Sequence, residues 1–330
     1  MKYKIIHVIP KNINSGPVNV AKDISKGLIL SGIDSEIYSI RDTKINNFFY
    51  NIFVFYKYVK SQDNIILHSH AIISDVFCYI LSKTLNIRWI STVHNDPEED
   101  LKFIYPKMYK VICYFWLYIL RHADKVVFLT KYICNKQNIK NKVFIHNSRF
   151  LINNNISNNL KNKIETIGFC GALIERKNIY SLVKNFSEIG KYNLLIAGDG
   201  NLQGSINKHI IENNIDNIKL LGHLDDLDVF WNEIDILILP SFAEGVPLVA
   251  IEALSRNIPL ILMDLENYNG VFSSDETIFI SDVNPSQLEY AINKIILNYS
   301  SYVISASKSF QEKFKFEDWI LKYIRLYKDL

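Results

Sequence analysis

Short apolar runs recur along this chain, each followed by a stretch with helical periodicity. Runs of this length are typical of buried strands, and their alternation with helices predicts parallel sheets covered by helices on both faces. The first series of predicted strands is Lys4–Ile9, Ser35–Ile40, Ile65–Leu67, Trp89–Val93, Lys125–Leu129 and Val143–Ile145. A predicted helix, Val18–Leu30, follows the first strand and is closed by Gly32, so the chain opens as a doubly wound α/β domain does.

A second series of predicted strands begins after a polar, asparagine-rich segment. Its members are Ile164–Cys170, Tyr192–Ala197, Ile218–Leu221, Asp235–Leu239, Pro259–Met263 and Thr277–Ile280. A length of 330 residues also suits two domains. We therefore predict an N-terminal Rossmann-like domain at 1–150, a linker at 151–163 and a C-terminal Rossmann-like domain at 164–330, which ends in a closing helix around Phe316–Lys328.

Charge is unevenly shared between the two halves. Residues 1–150 hold 21 Lys and Arg against 11 Asp and Glu, whereas residues 151–330 hold 16 against 23. The N-terminal half is therefore expected to face something anionic. The four cysteines follow no metal or redox spacing, which favours reduced thiols of a cytosolic protein and no zinc site.

Two carboxylates lie on either side of a predicted helix start, after a buried strand. Pro247 suits the first helical position, which makes Val246 the cap residue. Because a valine side chain cannot accept hydrogen bonds, the first-turn N–H groups are left for an anionic or hydroxylated ligand. Glu244 lies in the loop at the carboxyl end of the strand and Glu252 lies in the helix, so the two are predicted to touch different parts of one ligand.

The segment Ser241–Leu254 resembles the motif of the retaining glycosyltransferases of family four, which have the GT-B fold. That motif is a Ser-x-x-Glu-Gly-x-Pro run with a second Glu eight residues after the first, and Ser241, Gly245, Pro247 and Ala253 all match it. The resemblance covers nearly the whole chain and implies two Rossmann-like domains facing each other across a cleft. The resemblance also implies that Glu244 binds the hydroxyls of the donor sugar and that Glu252 binds the ribose.

The resemblance implies further nucleotide-sugar contacts. In the second domain they are the backbone of Gly245, Val246, Pro247 and Leu248, the loop residues Gly198 and Leu224 near the base, and Lys177 at the diphosphate. In the first domain they are Gly16 in the first loop and His94 beside the donor sugar. Lys177 matches the lysine of the family's Gly-Arg-Leu-x-x-x-Lys-Gly motif, where a cation stabilises the leaving diphosphate. Ala172 stands in place of that motif's arginine. Arg176 is a candidate to supply the missing cation. His94, Lys177 and Glu244 are the predicted catalytic residues.

No metal and no cofactor is predicted. His68 and His70 share one face of a strand, but no carboxylate or cysteine is spaced to complete a metal site with them. A Gly-x-Gly-x-x-Gly loop opens neither domain, so NAD is not expected.

Two stretches of the N-terminal domain are both aromatic and basic: Asn46–Lys60 and Lys102–Arg121. Buried helix faces are one interpretation of them, and an interfacial helix on anionic lipid is the other. With the resemblance, they suggest a cytoplasmic protein held peripherally at the inner face of the cell membrane.

The resulting hypothesis is a retaining, metal-independent enzyme that moves a sugar from a nucleotide-sugar, most simply a UDP-sugar, to a glycan acceptor. The acceptor would be an oligosaccharide or a polyprenyl-diphosphate-linked glycan of surface polysaccharide biosynthesis, and nucleic acid is not an expected partner. Two alternatives stay open. They are a GT-B-fold sugar-nucleotide epimerase and an inactive glycosyltransferase-like binding subunit, for which Ala172 is the main argument.

Overall fold

The computed structural model describes residues 3–41, 47–151 and 164–330. The chain divides into two compact units, residues 1–150 with 315–330, and residues 151–314. Apart from Leu151, the predicted linker lies outside the described residues, as does Asn46, the first residue of the Asn46–Lys60 stretch.

The first unit is a parallel six-stranded sheet with the strand order β2-β1-β3-β4-β5-β6. Its strands are β1 (Lys4–Ile9), β2 (Ser35–Ser39), β3 (Ile65–Ser69), β4 (Arg88–Val93), β5 (Lys125–Phe128) and β6 (Lys142–Phe144). Its helices are α1 (Gly16–Leu30), α2 (Phe48–Lys60), α3 (Ile72–Leu85), α4 (Pro97–Ile104), α5 (Tyr109–Leu120), α6 (Lys131–Lys136) and, from the C-terminal part of the chain, α13 (Phe316–Lys328).

The second unit is also a parallel six-stranded sheet, with the order β12-β11-β10-β7-β8-β9. Its strands are β7 (Thr166–Cys170), β8 (Asn193–Ala197), β9 (Ile218–Gly222), β10 (Ile236–Leu239), β11 (Leu260–Met263) and β12 (Thr277–Ile280). Its helices are α7 (Ile179–Phe186), α8 (Gln203–Glu212), α9 (Asp228–Glu233), α10 (Leu248–Ser255), α11 (Pro285–Leu297) and α12 (Tyr299–Lys313). Two 3-10 turns, Glu175–Lys177 and Glu266–Tyr268, lie in its loops.

The predicted fold class of two Rossmann-like domains is confirmed, since every predicted strand is present within one or two residues of its predicted ends. The central strands are wholly buried because helices cover both faces of each sheet, and this explains why their sequences are continuously apolar. Asp235 interrupts such a run for a structural reason. Its Oδ2 accepts hydrogen bonds of 2.9 Å from the backbone N–H groups of Glu165 and Thr166, which ties the start of β10 to the start of β7.

The predicted boundaries count the closing helix α13 with residues 164–330, while the family resemblance implies that such a helix returns toward the first domain. Helix α13 is part of the first unit. Gly27 of α1 allows this packing, because a β-carbon there would collide with the side chains of Ile320 and Phe316. Trp319 and Tyr323 are fully buried in the same unit. Helix α13 therefore completes the core of the first unit.

Candidate functional site

Loops at the carboxyl ends of two neighbouring strands, β7 and β10, form the candidate site of the second unit. Read from β9, the strand order of this sheet is the Rossmann order 3-2-1-4-5-6, which reverses direction between β7 and β10. Loops that leave such a switch point diverge to opposite faces of the sheet and open a crevice for a ligand. The sequence motifs Gly171–Lys177 and Ser241–Pro247 follow these two strands.

The loop after β7 depends on glycines where it meets the loop after β8. Gly198 has a φ of 133°, which few residues with a side chain adopt, and a β-carbon there would collide with the carbonyl oxygen of Gly171. The N–H of Gly171 donates to the carbonyl of Ala197 at 3.0 Å. Gly198, predicted to lie near the nucleotide, thus has a packing role that the sequence did not reveal.

Lys177 and Glu244 are brought together in this site. The Lys177 ammonium donates a short hydrogen bond to Glu244 Oε1, and both side chains are largely buried. Arg176 joins them, because its Nη1 lies 3.6 Å from Glu244 Oε2 and donates to the carbonyl oxygen of Ala243 at 2.6 Å. Arg176, the neighbour of Lys177, therefore does point a second cation into the site, whereas Ala172, which stands in place of the motif's arginine, is exposed.

The charge of Glu244 is set by two opposing effects. Burial would raise the pKa of its carboxyl, but the cations of Lys177 and Arg176 outweigh burial, and the pKa is lowered from its ordinary value. Glu244 is therefore ionised at neutral pH. A carboxylate in this state can accept hydrogen bonds from hydroxyl groups but cannot serve as a general acid.

The start of α10 differs by one residue from its prediction. The helix begins at Leu248 and Pro247 takes the cap position, so the assignment of Val246 as the cap was wrong. Proline has no side-chain acceptor, and no side chain caps this helix. The N-terminal amides of α10 thus remain donors suited to an anion, as the sequence indicated. Val246 and Gly245 are buried in the preceding loop.

Glu252 is the fifth residue of α10 and is buried. It lies near the end of β7. Burial raises the pKa of the Cys170 thiol to about 12, and the charge of Glu252 adds to this effect. Cys170 is therefore a protonated, unreactive thiol. Glu244 and Glu252 sit on different elements, a loop and a helix.

Two site residues were missed by the sequence analysis, and both come from the 3-10 turn after β11. Asn267 donates from Nδ2 to the carbonyl oxygen of Glu244 at 2.8 Å. Tyr268 is buried, and burial together with the Glu244 charge raises the pKa of its phenol well above the usual range. No motif marks this turn in the sequence, because its link to Glu244 exists only after folding.

The other predicted residues lie elsewhere. Leu224 follows β9 and is half-buried. In the first unit, Gly16 opens α1 with open space around its missing β-carbon, and His94 follows β4 and is partly exposed. His94 lies within hydrogen-bonding distance of His70, at 3.2 Å between ring nitrogens.

One cluster of potential metal ligands lies in the described part of the first unit. Three histidines, His7, His68 and His70, have ring nitrogens within 4.8 Å of one another and are fully buried. This group contains no carboxylate, so it does not suit Mg²⁺, which prefers oxygen ligands. No helix in the described ranges is long and apolar enough to cross a membrane.

Comparison with known proteins decides the family. The family model described as "Glycosyl transferases group 1" matches residues 152–312. Residues 152–312 are thus a group 1 glycosyltransferase domain. It is 26% identical to the uncharacterised glycosyltransferase MJ1178 of Methanocaldococcus jannaschii, over 82% of this chain and 77% of that protein. It is also 26% identical to the O-antigen biosynthesis glycosyltransferase WclY of Escherichia coli, over 80% and 79%.

Solved structures agree on the fold of this group 1 glycosyltransferase. Anabaena Alr3699/HepE, crystallised in complex with UDP and glucose, matches with a TM-score of 0.80 and 13% identity, over 99% of this chain and 100% of that one. Sucrose-phosphate synthase from Thermosynechococcus elongatus matches with a TM-score of 0.83 and 17% identity, over 99% and 98%. The GT-B fold and the family predicted from the Ser241–Leu254 motif are thereby confirmed.

Proposed function

We propose that this glycosyltransferase takes its sugar from a UDP-sugar, transfers it with retention of configuration, and acts on a polyprenyl-diphosphate-linked glycan in surface polysaccharide biosynthesis. The observation that carries the proposal is the cluster of Lys177, Arg176 and Glu244 at the switch point of the second sheet. The O-antigen name of one relative and the UDP bound to one structural neighbour support the substrate class.

Two cations beside an uncapped helix start suit a diphosphate. As the glycosidic bond breaks, negative charge grows on the leaving nucleotide, and Lys177 and Arg176 can stabilise it together with the first amides of α10. Glu244 is the counter-ion of both cations. We infer that the incoming diphosphate competes for Lys177, which frees the Glu244 carboxylate to accept hydrogen bonds from sugar hydroxyls.

The electrostatics of Glu244 also bear on the reaction type. Hydrolysis by two carboxyl groups needs one of them protonated beside the scissile bond. The lowered pKa of Glu244 is the opposite of what a general acid needs. A transfer in which the departing diphosphate takes the proton of the acceptor hydroxyl on the same face requires no protonated carboxyl. This argues against hydrolysis by two carboxyl groups and is compatible with the proposed retention by front-face attack.

An exposed apolar surface of the first unit supports a lipid-linked acceptor. Helix α5 buries one face, including Trp116, but its outward stripe is Val111, Tyr114, Phe115 and Tyr118, with Tyr114 66% exposed and Phe115 59% exposed. Apolar side chains contiguous along a helix are typical of a protein or membrane contact.

Three exposed basic residues surround this stripe: Lys107, Lys110 and Arg121. The stripe and these basic residues together are called the α5 surface. Lys102 contributes less than the sequence suggested, because it pairs with Glu99 at 2.7 Å. We propose that the α5 surface rests on the anionic inner face of the cell membrane, where the acceptor is found.

The test of the reaction is release of UDP from a panel of UDP-sugars, with and without a polyprenyl-diphosphate acceptor. We expect release that depends on the acceptor and a product with the donor's anomeric configuration. Lys177→Ala and Glu244→Ala should each reduce turnover by about a hundredfold or more. The exposed residues Lys184 and Glu188 supply matched controls, as Lys184→Ala and Glu188→Ala. Acceptor-independent release with an altered sugar would indicate an epimerase, and UDP binding without turnover would indicate a binding subunit.

The test of the membrane contact is co-sedimentation with vesicles that contain anionic lipid. Replacing Tyr114 and Phe115 by serine should release the protein, and replacing Lys107 and Lys110 by glutamate should do so more strongly at low salt. Leu297→Ser, at an equally exposed apolar residue of the second unit, is the control. If the Tyr114 and Phe115 variant sediments as wild type does, the α5 surface is not a membrane contact.

A further inference from the structure

Four histidines from three neighbouring strands gather at the carboxyl end of the first sheet. His7 lies in β1, opposite His68 of β3 in the parallel register, while His70 directly follows β3 and His94 directly follows β4. Three of them are hydrogen-bonded in a row. His7 Nδ1 lies 2.9 Å from His70 Nε2, and His70 Nδ1 lies 3.2 Å from His94 Nε2. We name His7, His70 and His94 the histidine relay.

All of these rings are neutral at physiological pH. Burial lowers the pKa of His7 and of His94 to about 3. Burial lowers the pKa of His70 well below its ordinary value as well, and the neighbouring histidines add to that effect. A neutral imidazole carries one proton, so one nitrogen of each ring donates and the other accepts. The two hydrogen bonds of the relay therefore have to run in the same direction.

The direction follows from the inner end of the relay. His7 Nε2 is buried and, within the described residues, has no hydrogen-bond partner. If the relay ran inward from His94, this nitrogen would carry a buried N–H without an acceptor, which native proteins rarely contain. If it runs outward, His7 Nε2 holds only an unused lone pair. In that case Nδ1 of His7 donates to His70, and Nδ1 of His70 donates to Nε2 of His94.

We propose that His7 and His70 are positioning residues that hold the proton of His94 on Nδ1, so that His94 offers an N–H donor, and not a base, to an oxygen atom of the ligand. In the part of the chain that the structure describes, Nδ1 of His94 has no partner within the protein. The nature of the ligand rests on the proposed function, whose substrates offer sugar hydroxyl and phosphate oxygens. The direction of the relay does not rest on it.

The backbone beside the relay is held in a costly conformation. Ala71, which follows His70, has φ 140° and ψ 159°, a region that is essentially confined to glycine. The N–H of His70 is fixed at the same time by the carbonyl of Val8, at 3.1 Å. Strain of this kind persists where the surrounding structure determines a residue's position. His70 is therefore placed between its two neighbours rather than free to turn away.

The same atoms fit a relay better than a metal site. A metal held by His7, His68 and His70 would need a free lone pair on His68. Both His68 nitrogens are already used, since Nδ1 lies 2.6 Å from the Tyr327 hydroxyl and Nε2 lies 2.7 Å from Thr92 Oγ1. A metal on His70 would also break one of its two hydrogen bonds, to His7 or to His94. A hydrogen-bonded network needs none of these losses.

The test is the protonation of each ring nitrogen, read from long-range proton–nitrogen NMR spectra of the full chain labelled with ¹⁵N-histidine. His94→Gln identifies the His94 signals by their loss. We expect a protonated Nδ1 and an unprotonated Nε2 for wild-type His94. His7→Phe removes the inner donor, so the Nε2-protonated form of His94 should appear. His7→Asn retains an N–H near the place of Nδ1 and should keep the wild-type pattern, which covers the case in which His7→Phe does not fold.

Kinetics supply a second readout. With a turned-over UDP-sugar, kcat/KM should fall by about tenfold in His7→Phe and stay within about threefold of wild type in His7→Asn, as expected for loss of one hydrogen bond to a buried group. Protonation of wild-type His94 on Nε2, or an unchanged His94 pattern in His7→Phe, would overturn the relay. So would stoichiometric Zn²⁺ binding that shifts the His7, His68 and His70 signals. If wild type turns over no UDP-sugar, the proposed function fails, while the spectra still decide the relay.

Discussion

Acidification should destabilise the first unit well above the pH at which ordinary, exposed carboxylates are neutralised. In the folded protein the pKa of His7 and of His94 is lowered to about 3, whereas an unfolded histidine titrates near 6.5. Below pH 6.5 these histidines therefore bind protons in the unfolded chain but stay unprotonated in the folded chain. Stability is then lost as the pH falls through 6.5, and the loss continues down to the folded pKa.

The magnitude follows from proton linkage. Between pH 7.5 and pH 5.5, each neutral buried histidine costs the folded state about 1.4 kcal/mol, so His7 and His94 together cost about 2.8 kcal/mol. Burial holds His68 and His70 well below 6.5 too, which adds to the loss in the same direction. Asp75 opposes it.

Asp75 is a buried carboxyl that accepts hydrogen bonds from Ser69, Ser91 and Trp116. Burial raises its pKa to about 6, against an effect of these hydrogen bonds that lowers it. As the pH falls, Asp75 is protonated in the folded state before it is protonated in the unfolded state. This stabilises the folded state by about 0.8 kcal/mol at pH 5.5. The net loss should therefore be at least about 2 kcal/mol, a sizeable part of a domain stability of about 5 to 15 kcal/mol.

Urea denaturation at the two pH values measures this loss. Trp89, Trp116 and Trp319 lie in the first unit, so fluorescence in a Trp231→Phe background reports on that unit. His7→Phe should reduce the difference between the two pH values by about 1.4 kcal/mol, because one acid-sensitive ring is gone. His223→Gln, at an exposed histidine of the second unit, should leave it unchanged. Equal stability at both pH values, or an unchanged difference in His7→Phe, would refute the reasoning.

Further predictions concern the second unit and the backbone. Glu252→Gln should weaken UDP binding by about 1.5 to 3 kcal/mol in calorimetry while kcat changes little, if the carboxylate accepts hydrogen bonds from the ribose; an unaltered Kd would rule that role out. Turnover should survive EDTA, because Lys177 and the first amides of α10 can serve the diphosphate; loss on chelation and recovery with one divalent ion would contradict this. Gly198→Ala should lower the urea stability of the second unit by more than about 2 kcal/mol, since its β-carbon meets the Gly171 carbonyl, and a wild-type midpoint would count against that contact. Ala71→Gly should raise the free energy of unfolding of the first unit by up to about 2 kcal/mol in urea denaturation, and a lower free energy would show that the backbone there is not strained.

Local pattern was enough to predict the strands and the motif loops. Each strand is a short apolar run that any parallel sheet would bury, and the ends of β1 and β12 agree with their predictions to the residue. The pair of Lys177 and Glu244 could be anticipated as one site because both follow strands that a doubly wound sheet places side by side. Their direct ion pair could not, since side-chain contacts are set by packing.

The errors and omissions share one cause, which is that register and docking are properties of the folded chain. His68 and His70 were visible as a pair on one strand, but His7 joins them only through the pairing of β1 with β3. The one-residue shift at Pro247 reflects how weakly sequence fixes a helix end. Helix α13 carries an amphipathic pattern that shows which face is buried, but not which unit buries it.

The position of α13 has a consequence for how the protein is made. The chain leaves the first unit at residue 150 and returns to it at residue 315, so the ribosome makes all of the second unit in between. Until then the first unit lacks the buried side chains of Trp319, Tyr323 and Tyr327, and His68 lacks its hydrogen-bond partner, the Tyr327 hydroxyl. Domains generally fold in order of synthesis, N-terminal first. In this protein the core of the N-terminal unit is completed only after the C-terminal unit has been made, so the C-terminal unit can be the first to reach its final structure.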